Sequence, residues 1–281
     1  MAQRVCVITG ANSGIGKEAA AKLAGLGATV VMVCRSRKKG EKEKAEIRRR
    51  SHSDAVELFL ADLTSLDSVR GFAKEFQERH DALHVLVNNA GVARVRRSTT
   101  VDGFETTFQV DYLSHFLLTN LLLGLLKKSA PARIINVSSA SHYGGHVNFE
   151  DLQMKKCYGV MKAYSQAKLA QVLFTYELSR RLEGTGVTAN CLHPGTVATN
   201  IWGGAMGPFS FLGKISRLFL ISPEKGAQTT VYLASSPEVE GVTGKYYEEK
   251  HGKESSKESY DLASAQRLWE ESEKMTGLAS P

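Results

Sequence analysis

The chain reads as an α/β protein built on one doubly wound parallel sheet of about seven strands with helices on both faces. Three observations predict it. Short apolar runs recur at 5–8, 29–34, 56–60, 83–88, 134–138 and 187–192, helical patterns fill the intervals, and a glycine-rich turn follows the first run. Strands that alternate with helices form parallel βαβ units, because parallel neighbours need a crossover connection. With 281 residues and 42% hydrophobic content the chain can bury one large core, and no linker interrupts it. One domain over residues 1–281 is expected.

The first run, Val5-Cys6-Val7-Ile8, is a buried strand that leads into Thr9-Gly10-Ala11-Asn12-Ser13-Gly14-Ile15-Gly16 and an alanine-rich helix over about 14–26. Strand, glycine turn and helix together make a phosphate cradle. Gly10 permits the tight turn, Gly14 lets the backbone approach a pyrophosphate, Gly16 lets helix and strand pack closely, and the helix N-terminus favours the anion. An ordinary tight turn is the plainer reading; the strand before it and the helix after it favour the cradle. The second strand, 29–34, runs into Arg35, Ser36 and Arg37. Residues 35–50 hold nine Lys/Arg against three Glu, most of the chain's net +7. An acidic residue after this strand would bond the free 2′-hydroxyl of a dinucleotide's adenine ribose. Guanidinium groups suit a 2′-phosphate instead, which points to NADP(H). From Lys38 onward the charges read as a solvated helix over 38–50. No aromatic stacking pattern or recognised module accompanies the basic stretch, which argues against a nucleic-acid partner.

A strand at 56–60, a helix at 65–79, a strand at 83–88 and a long helix at 103–128 follow, then a strand at 134–138 that ends in Ser138-Ser139. The next helix, 160–183, carries Tyr164-Ser165-Gln166-Ala167-Lys168. A tyrosine and a lysine four residues apart share one helix face, so the ammonium favours the ionised phenol and draws its proton exchange toward neutrality. By itself the spacing is common on solvated helices. Beyond the strand at 187–192, residues 200–222 crowd Trp202, Met206, Phe209, Phe211, Leu212, Ile215, Leu218 and Phe219 together, with Phe211, Ile215, Leu218 and Phe219 on one helical face. Two readings stand: a face that packs on the core or on a second subunit, and a greasy substrate lid whose Lys214 and Arg217 rest on a membrane surface. A helix at 223–235, a polar surface loop at 248–254 and a last helix near 260–275 complete the order. Cys6, Cys34 and Cys191 fall in strands and Cys157 in a loop; none has metal-ligand spacing, so free thiols in a reducing compartment and no metal are expected. The longest apolar stretch, 116–126, is too short to span a bilayer, and no secretory signal or lipid-anchor motif is present.

On these residues the chain resembles the short-chain dehydrogenase/reductase family along nearly its whole length. Further motifs carry the likeness: Asp62-Leu63 as an adenine contact, Asn88-Asn89-Ala90-Gly91 at the fourth strand, and His193-Pro194-Gly195 as the turn beside a nicotinamide. Within the family it is most similar to the retinol dehydrogenase subgroup, judging from Gly103-Phe104-Glu105, His115-Phe116-Leu117-Leu118-Thr119, Ala130-Pro131-Ala132-Arg133 and Glu238-Val239-Glu240-Gly241-Val242-Thr243-Gly244. The resemblance implies a Rossmann-type domain, with residues 1–135 holding the cofactor and 136–281 the catalytic and substrate half. It implies hydride transfer between NADP(H) and a hydrophobic alcohol or carbonyl of retinoid, steroid or long-chain aldehyde type. Ser139, Tyr164 and Lys168 would be catalytic, joined by Asp111, which is expected to keep the proton relay, with Ser138 structural. Cofactor contacts would come from Gly10, Ser13, Gly14, Ile15, Gly16, Arg35, Ser36, Arg37, Asp62, Leu63, Asn89, Ala90, Gly91, Tyr164, Lys168, Pro194, Gly195, Val197 and Thr199. The family pairs through the helices at 103–128 and 159–183, so a homo-oligomer is expected. This sequence starts at its first strand without the hydrophobic anchor of membrane-bound members of the subgroup, so a cytoplasmic place, or a peripheral one on an intracellular membrane, is expected. One departure stands out: Asp111 occupies a position where the family has an asparagine whose main-chain carbonyl holds a water leading to the lysine. A carboxylate there either stabilises the Lys168 ammonium or neutralises its influence on Tyr164. The rival to an enzyme is a cofactor-binding regulatory or scaffold protein that keeps the fold with little turnover.

Overall fold

The computed structural model describes residues 1–196 and 221–278. Six runs of β-branched and apolar residues form β1 (Val5–Thr9), β2 (Thr29–Cys34), β3 (Val56–Leu60), β4 (Val85–Asn88), β5 (Ala132–Val137) and β6 (Val187–His193). Their residues are buried on both faces over most of their length, as crossover connections require of a parallel sheet. β7 (Tyr246–Glu248) and β8 (His251–Lys253) complete a sheet of order β3-β2-β1-β4-β5-β6-β7-β8. Every pairing is parallel except β7 with β8. Strand order reverses between β1 and β4, and a crevice opens there at the carboxyl ends of the strands.

The expected surface loop at 248–254 is therefore a hairpin. Its two connecting residues, Glu249 and Lys250, have φ of 49° and 69°, the left-handed pair that a two-residue turn needs to match strand twist. The turn lacks the usual Asn-Gly signal, and its charges read as solvated loop.

Helices cover both faces. α1 (Gly14–Gly25) and α2 (Arg37–Ser51) are clamped by a bidentate contact in which Arg50 donates to both oxygens of buried Glu18 at 2.8 and 2.6 Å. With a later helix, Pro223–Ser235, they pack on Cys6, Ile8, Val30, Met32, Val85 and Val87. The opposite face takes α3 (Leu66–Arg79), then a segment expected as one helix over 103–128. That segment begins later, at α4 (Thr106–Phe108), where both Glu105 carboxylate oxygens cap the N–H groups of Thr107 and Phe108. It then widens into a π-turn at Gln109–Leu113 before α5 (Ser114–Lys128). α6 (Val160–Arg181) follows, then α7 (Pro223–Ser235) on the first face, and α8 (Leu262–Thr276).

α8 docks through Trp269, whose ring lies 4.9 Å from Phe116 on α5 and 5.8 Å from Phe174 on α6. Tyr112 reinforces it with a 2.6 Å hydroxyl contact to Ser272. Every residue of α6 from Ala163 to Leu178 is buried by this chain's own elements. The expected pairing helix α6 thus has little free face, while Leu121, Leu123 and Leu125 on α5 are half-buried at the edge of the core. Among the described residues no helix is long and apolar enough to cross a membrane. Cys6, Cys34 and Cys191 are buried, and burial pushes each thiol up to about 12; Cys157 is exposed.

Candidate active site

The glycine turn after β1 approaches its neighbours closely. Gly10 has φ +67°, and a Cβ there would stand 3.0 Å from the Ala90 Cα; one on Gly16 would stand 2.4 Å from Asn89 Nδ2 and 2.7 Å from the Gly10 carbonyl oxygen. Side chains at these positions would fill the cradle, so glycine is required. Thr9 fastens the turn to the end of β4: its Oγ1 accepts the N–H groups of Asn89 at 2.9 Å and Ala90 at 3.0 Å, while Asn89 Nδ2 donates to the Thr9 carbonyl at 2.8 Å.

A cavity of about 1510 Å³ runs from this cradle along the carboxyl edge of the sheet. It brings together Gly10, Ser13, Gly14, Ile15, Gly16, Arg35, Ser36, Asp62, Leu63, Asn89, Ala90, Gly91, Ser139, Tyr164, Lys168, Pro194 and Gly195. Arg37 does not line it. Ser36 N-caps α2, and Arg37 as the first helical residue turns to solvent, while Lys39, two residues further on, takes its place on the wall. Val197, Thr199 and the expected lid at 200–222, up to residue 220, lie outside the described residues.

Ser139 follows the end of β5 and is half-buried. His142 steadies its turn: Nδ1–H donates to the Ser139 carbonyl at 2.7 Å and Nε2 accepts the Ser256 N–H at 3.1 Å. Both contacts need a neutral ring, in keeping with the burial that pushes the His142 imidazole down. Ser138, by contrast, is buried and donates to the Lys168 carbonyl at 2.9 Å, a structural contact.

Tyr164 and Lys168 project from α6 toward Ser139. The ammonium lies 5.4 Å from the Tyr164 ring centroid, and the phenol is hydrogen-bonded to Ser139. Burial raises the phenol above its ordinary range; the Lys168 charge opposes that rise and the Asp111 charge adds to it. Burial by itself would lower the Lys168 pKa, but the charges of Asp111 and Tyr164 overcome it, and the ammonium is held protonated.

Asp111 sits in the π-turn beneath the cavity, fully enclosed, its Oδ2 3.2 Å from Lys168 Nζ. Burial pushes its carboxyl up to about 6, against the Lys168 charge and the Val92 N–H. The Asp111 carbonyl accepts His115 Nδ1–H at 3.0 Å, so His115 Nε2 accepts a hydrogen bond from the Thr9 hydroxyl at 3.0 Å. Burial drives that imidazole down to about 4.

Sequence reasoning missed Thr9, His115, His142, Gln171 and Lys39, and it missed Arg94 and Arg96, exposed on the cavity rim. The arginines carried a signal, three cations within residues 94–97, separated by two residues from the Asn88-to-Gly91 motif. Thr9, His115 and His142 act through contacts with distant segments that no local pattern announces, whereas Gln171 stands three residues from Lys168 on the same helix and Lys39 belongs to the basic stretch after β2.

The sequence model described as short chain dehydrogenase matches residues 4–206. Human retinol dehydrogenase 14 is 46% identical over 291 residues, covering 98% of this chain and 87% of that protein. Mouse retinol dehydrogenase 13 is 47% identical over 283 residues, with 98% and 84% covered. An uncharacterized protein from Mycobacterium Paratuberculosis superposes with a TM-score of 0.81 at 36% identity, over 100% of this chain and 96% of its own. The Pseudomonas aeruginosa RhlG/NADP active-site complex does so at 0.71 and 26% identity, over 88% and 94%.

Proposed function

The chain belongs to the short-chain dehydrogenase family and is an oxidoreductase, and we propose that it interconverts a hydrophobic alcohol and its carbonyl compound with NADP(H). The observation that carries the proposal is one cavity lined at once by the glycine cradle and by Ser139, Tyr164 and Lys168. The cradle fits a dinucleotide, since its close approaches leave backbone amides and no side chains where a pyrophosphate would rest. Gly10, Ser13, Gly14, Ile15 and Gly16 would hold that pyrophosphate, Asp62 and Leu63 the adenine, and Asn89, Ala90, Gly91, Pro194 and Gly195 the nicotinamide half. Arg35, Ser36 and Lys39 at the far end supply charge and donors for a 2′-phosphate, and the RhlG complex with NADP lends support by likeness.

A bound nicotinamide supplies the hydride. The chain's own residues manage the oxygen. In reduction the Tyr164 phenol donates its proton to the oxygen that becomes the alcohol, and Ser139 Oγ–H donates a hydrogen bond to the same atom. In oxidation the phenolate accepts the alcohol proton. Lys168 supplies the charge beside the phenol and would hold the ribose of a bound dinucleotide. One domain, its first half holding cofactor and its second half substrate, would touch a membrane surface peripherally and self-associate through α5, where Leu121, Leu123 and Leu125 are half-buried.

Retinoid-type substrates are favoured by the names of the relatives, retinol dehydrogenases 13 and 14. The test is NADPH oxidation by the purified protein with all-trans-retinal and a panel of aliphatic, aromatic and steroid carbonyls, with NADH alongside. NADPH-dependent turnover that falls at least about a hundredfold in Tyr164→Phe is expected, the loss typical of removing a positioned proton donor. Turnover unchanged in that variant would overturn the assignment.

A further inference from the structure

Asp111 is fully enclosed and carries a carboxylate that the reaction above does not use. Its oxygens are differently employed. Oδ1 accepts the Val92 N–H at 2.7 Å; Oδ2 faces Lys168 Nζ at 3.2 Å. The Lys168 ammonium has three protons and meets three acceptors: the Val137 carbonyl at 3.1 Å, Gln171 Oε1 at 3.0 Å and the Asp111 carboxylate. Of these, Asp111 alone bears charge. The lysine is thus both fixed in place and neutralised by a partner from a different helix.

A solitary buried cation beside a phenol draws it toward phenolate, whereas a cation paired with a carboxylate presents a dipole whose field falls off faster with distance. Among the described residues, the groups that face this pair do not restore the missing positive charge. Tyr164 stands on α6, Glu105 adds a further negative charge from the turn before α4, and His115 on α5 is neutral.

We propose that Asp111 is a positioning residue whose carboxylate, acting through Lys168, keeps Tyr164 in its phenol form and biases the site toward giving up a proton, that is, toward carbonyl reduction. The inference rests on reading Tyr164 as the proton donor. In that step the Tyr164 O–H bond breaks as the substrate O–H bond forms, the carbonyl carbon takes up the hydride that a bound NADPH would supply, and the phenolate regains a proton from solvent. The paired lysine leaves the phenol protonated beforehand.

The test is the titration of Tyr164 in the protein without substrate, followed through the tyrosinate absorbance with Tyr164→Phe as the subtraction reference. Asp111→Asn keeps size and one acceptor but removes the charge; it should lower the Tyr164 titration by about one pH unit or more, a tenfold change in ionisation. The pH above which NADPH-dependent reduction declines should fall by the same amount, as should the pH at which alcohol oxidation rises. Gln171→Met takes away another Lys168 acceptor without altering charge, and should leave the titration within about 0.3 unit of the native one. Asp111→Ala, titrated in the same way, stands in if the asparagine variant does not fold. A Tyr164 titration that is unmoved or raised in the Asp111 variants, or moved equally by Gln171→Met, overturns the proposal. A shifted titration in a protein without turnover supports it and counts against the reductase reading, while turnover with an unmoved titration does the reverse.

Discussion

His115 and Asp111 lie one helical turn apart and titrate in opposite senses. In the fold His115 stays neutral down to about 4, whereas its ordinary value is 6.5. Between those values the unfolded chain holds the extra proton, and stability falls as pH falls. Asp111 does the reverse: in the fold it takes up a proton below about 6 and unfolded only below 3.8, so its contribution rises as pH falls. In Asp111→Asn the His115 contribution stands without that offset. The variant should therefore lose stability more steeply than the native chain between about pH 6 and 4.5, by about 2 kcal/mol at ~1.4 kcal/mol per unit, read from urea midpoints. At this scale the sequence told much about Ser139, Tyr164 and Lys168, because two of them share one helix and the third ends a strand. It told nothing of Thr9 holding β1 to β4, since that role exists only once distant segments meet; Gln171 lay three residues beyond Lys168 on the same helix and carried no mark of its own.

Elements deliver these side chains through two devices. The first is the glycine cradle at the start of α1. Gly16→Ala would drive a methyl into Asn89 Nδ2 and the Gly10 carbonyl, and the amide cannot yield without leaving the Thr9 carbonyl. It should cost about 1–3 kcal/mol of stability and weaken dinucleotide binding, measured by denaturation and by fluorescence titration with NADPH. The second is the Trp269 contact of α8 with α5 and α6. Trp269→Ala should cost about 3–5 kcal/mol in urea unfolding, as removal of a buried aromatic does. Helix periodicity made both helices readable and their ends nearly so. The π-turn at Gln109–Leu113 was not readable, because its residues are ordinary helix formers. Ser114 N–H reaches back to the Gln109 carbonyl, a choice made by packing against the sheet and not by any local breaker.

Across the whole molecule, the alternation of apolar runs and helices made the parallel sheet legible, and strand order then dictated a crevice between β1 and β4. What stayed hidden was the antiparallel β7–β8 edge, where charge concealed a hairpin. Pocket chemistry is also unequal end to end: exposed Arg35 and Lys39 at one extremity, enclosed Lys168 at the other. Replacing Arg35 and Lys39 together by alanine should raise KM for NADPH by roughly tenfold or more and leave KM for NADH nearly unchanged, the effect of losing charge-assisted contacts to one phosphate. Steady-state kinetics with both dinucleotides decides it. The thiols offer a practical consequence. Three of four cysteines are enclosed and held as unreactive thiols, so a maleimide dye added to the native fold should attach at Cys157 alone, without engineering. The adjacent Tyr158 hydroxyl is tied to the Arg94 carbonyl on the cavity rim, so a fluorophore at that address would stand beside the mouth and report, by a change in emission, when something enters.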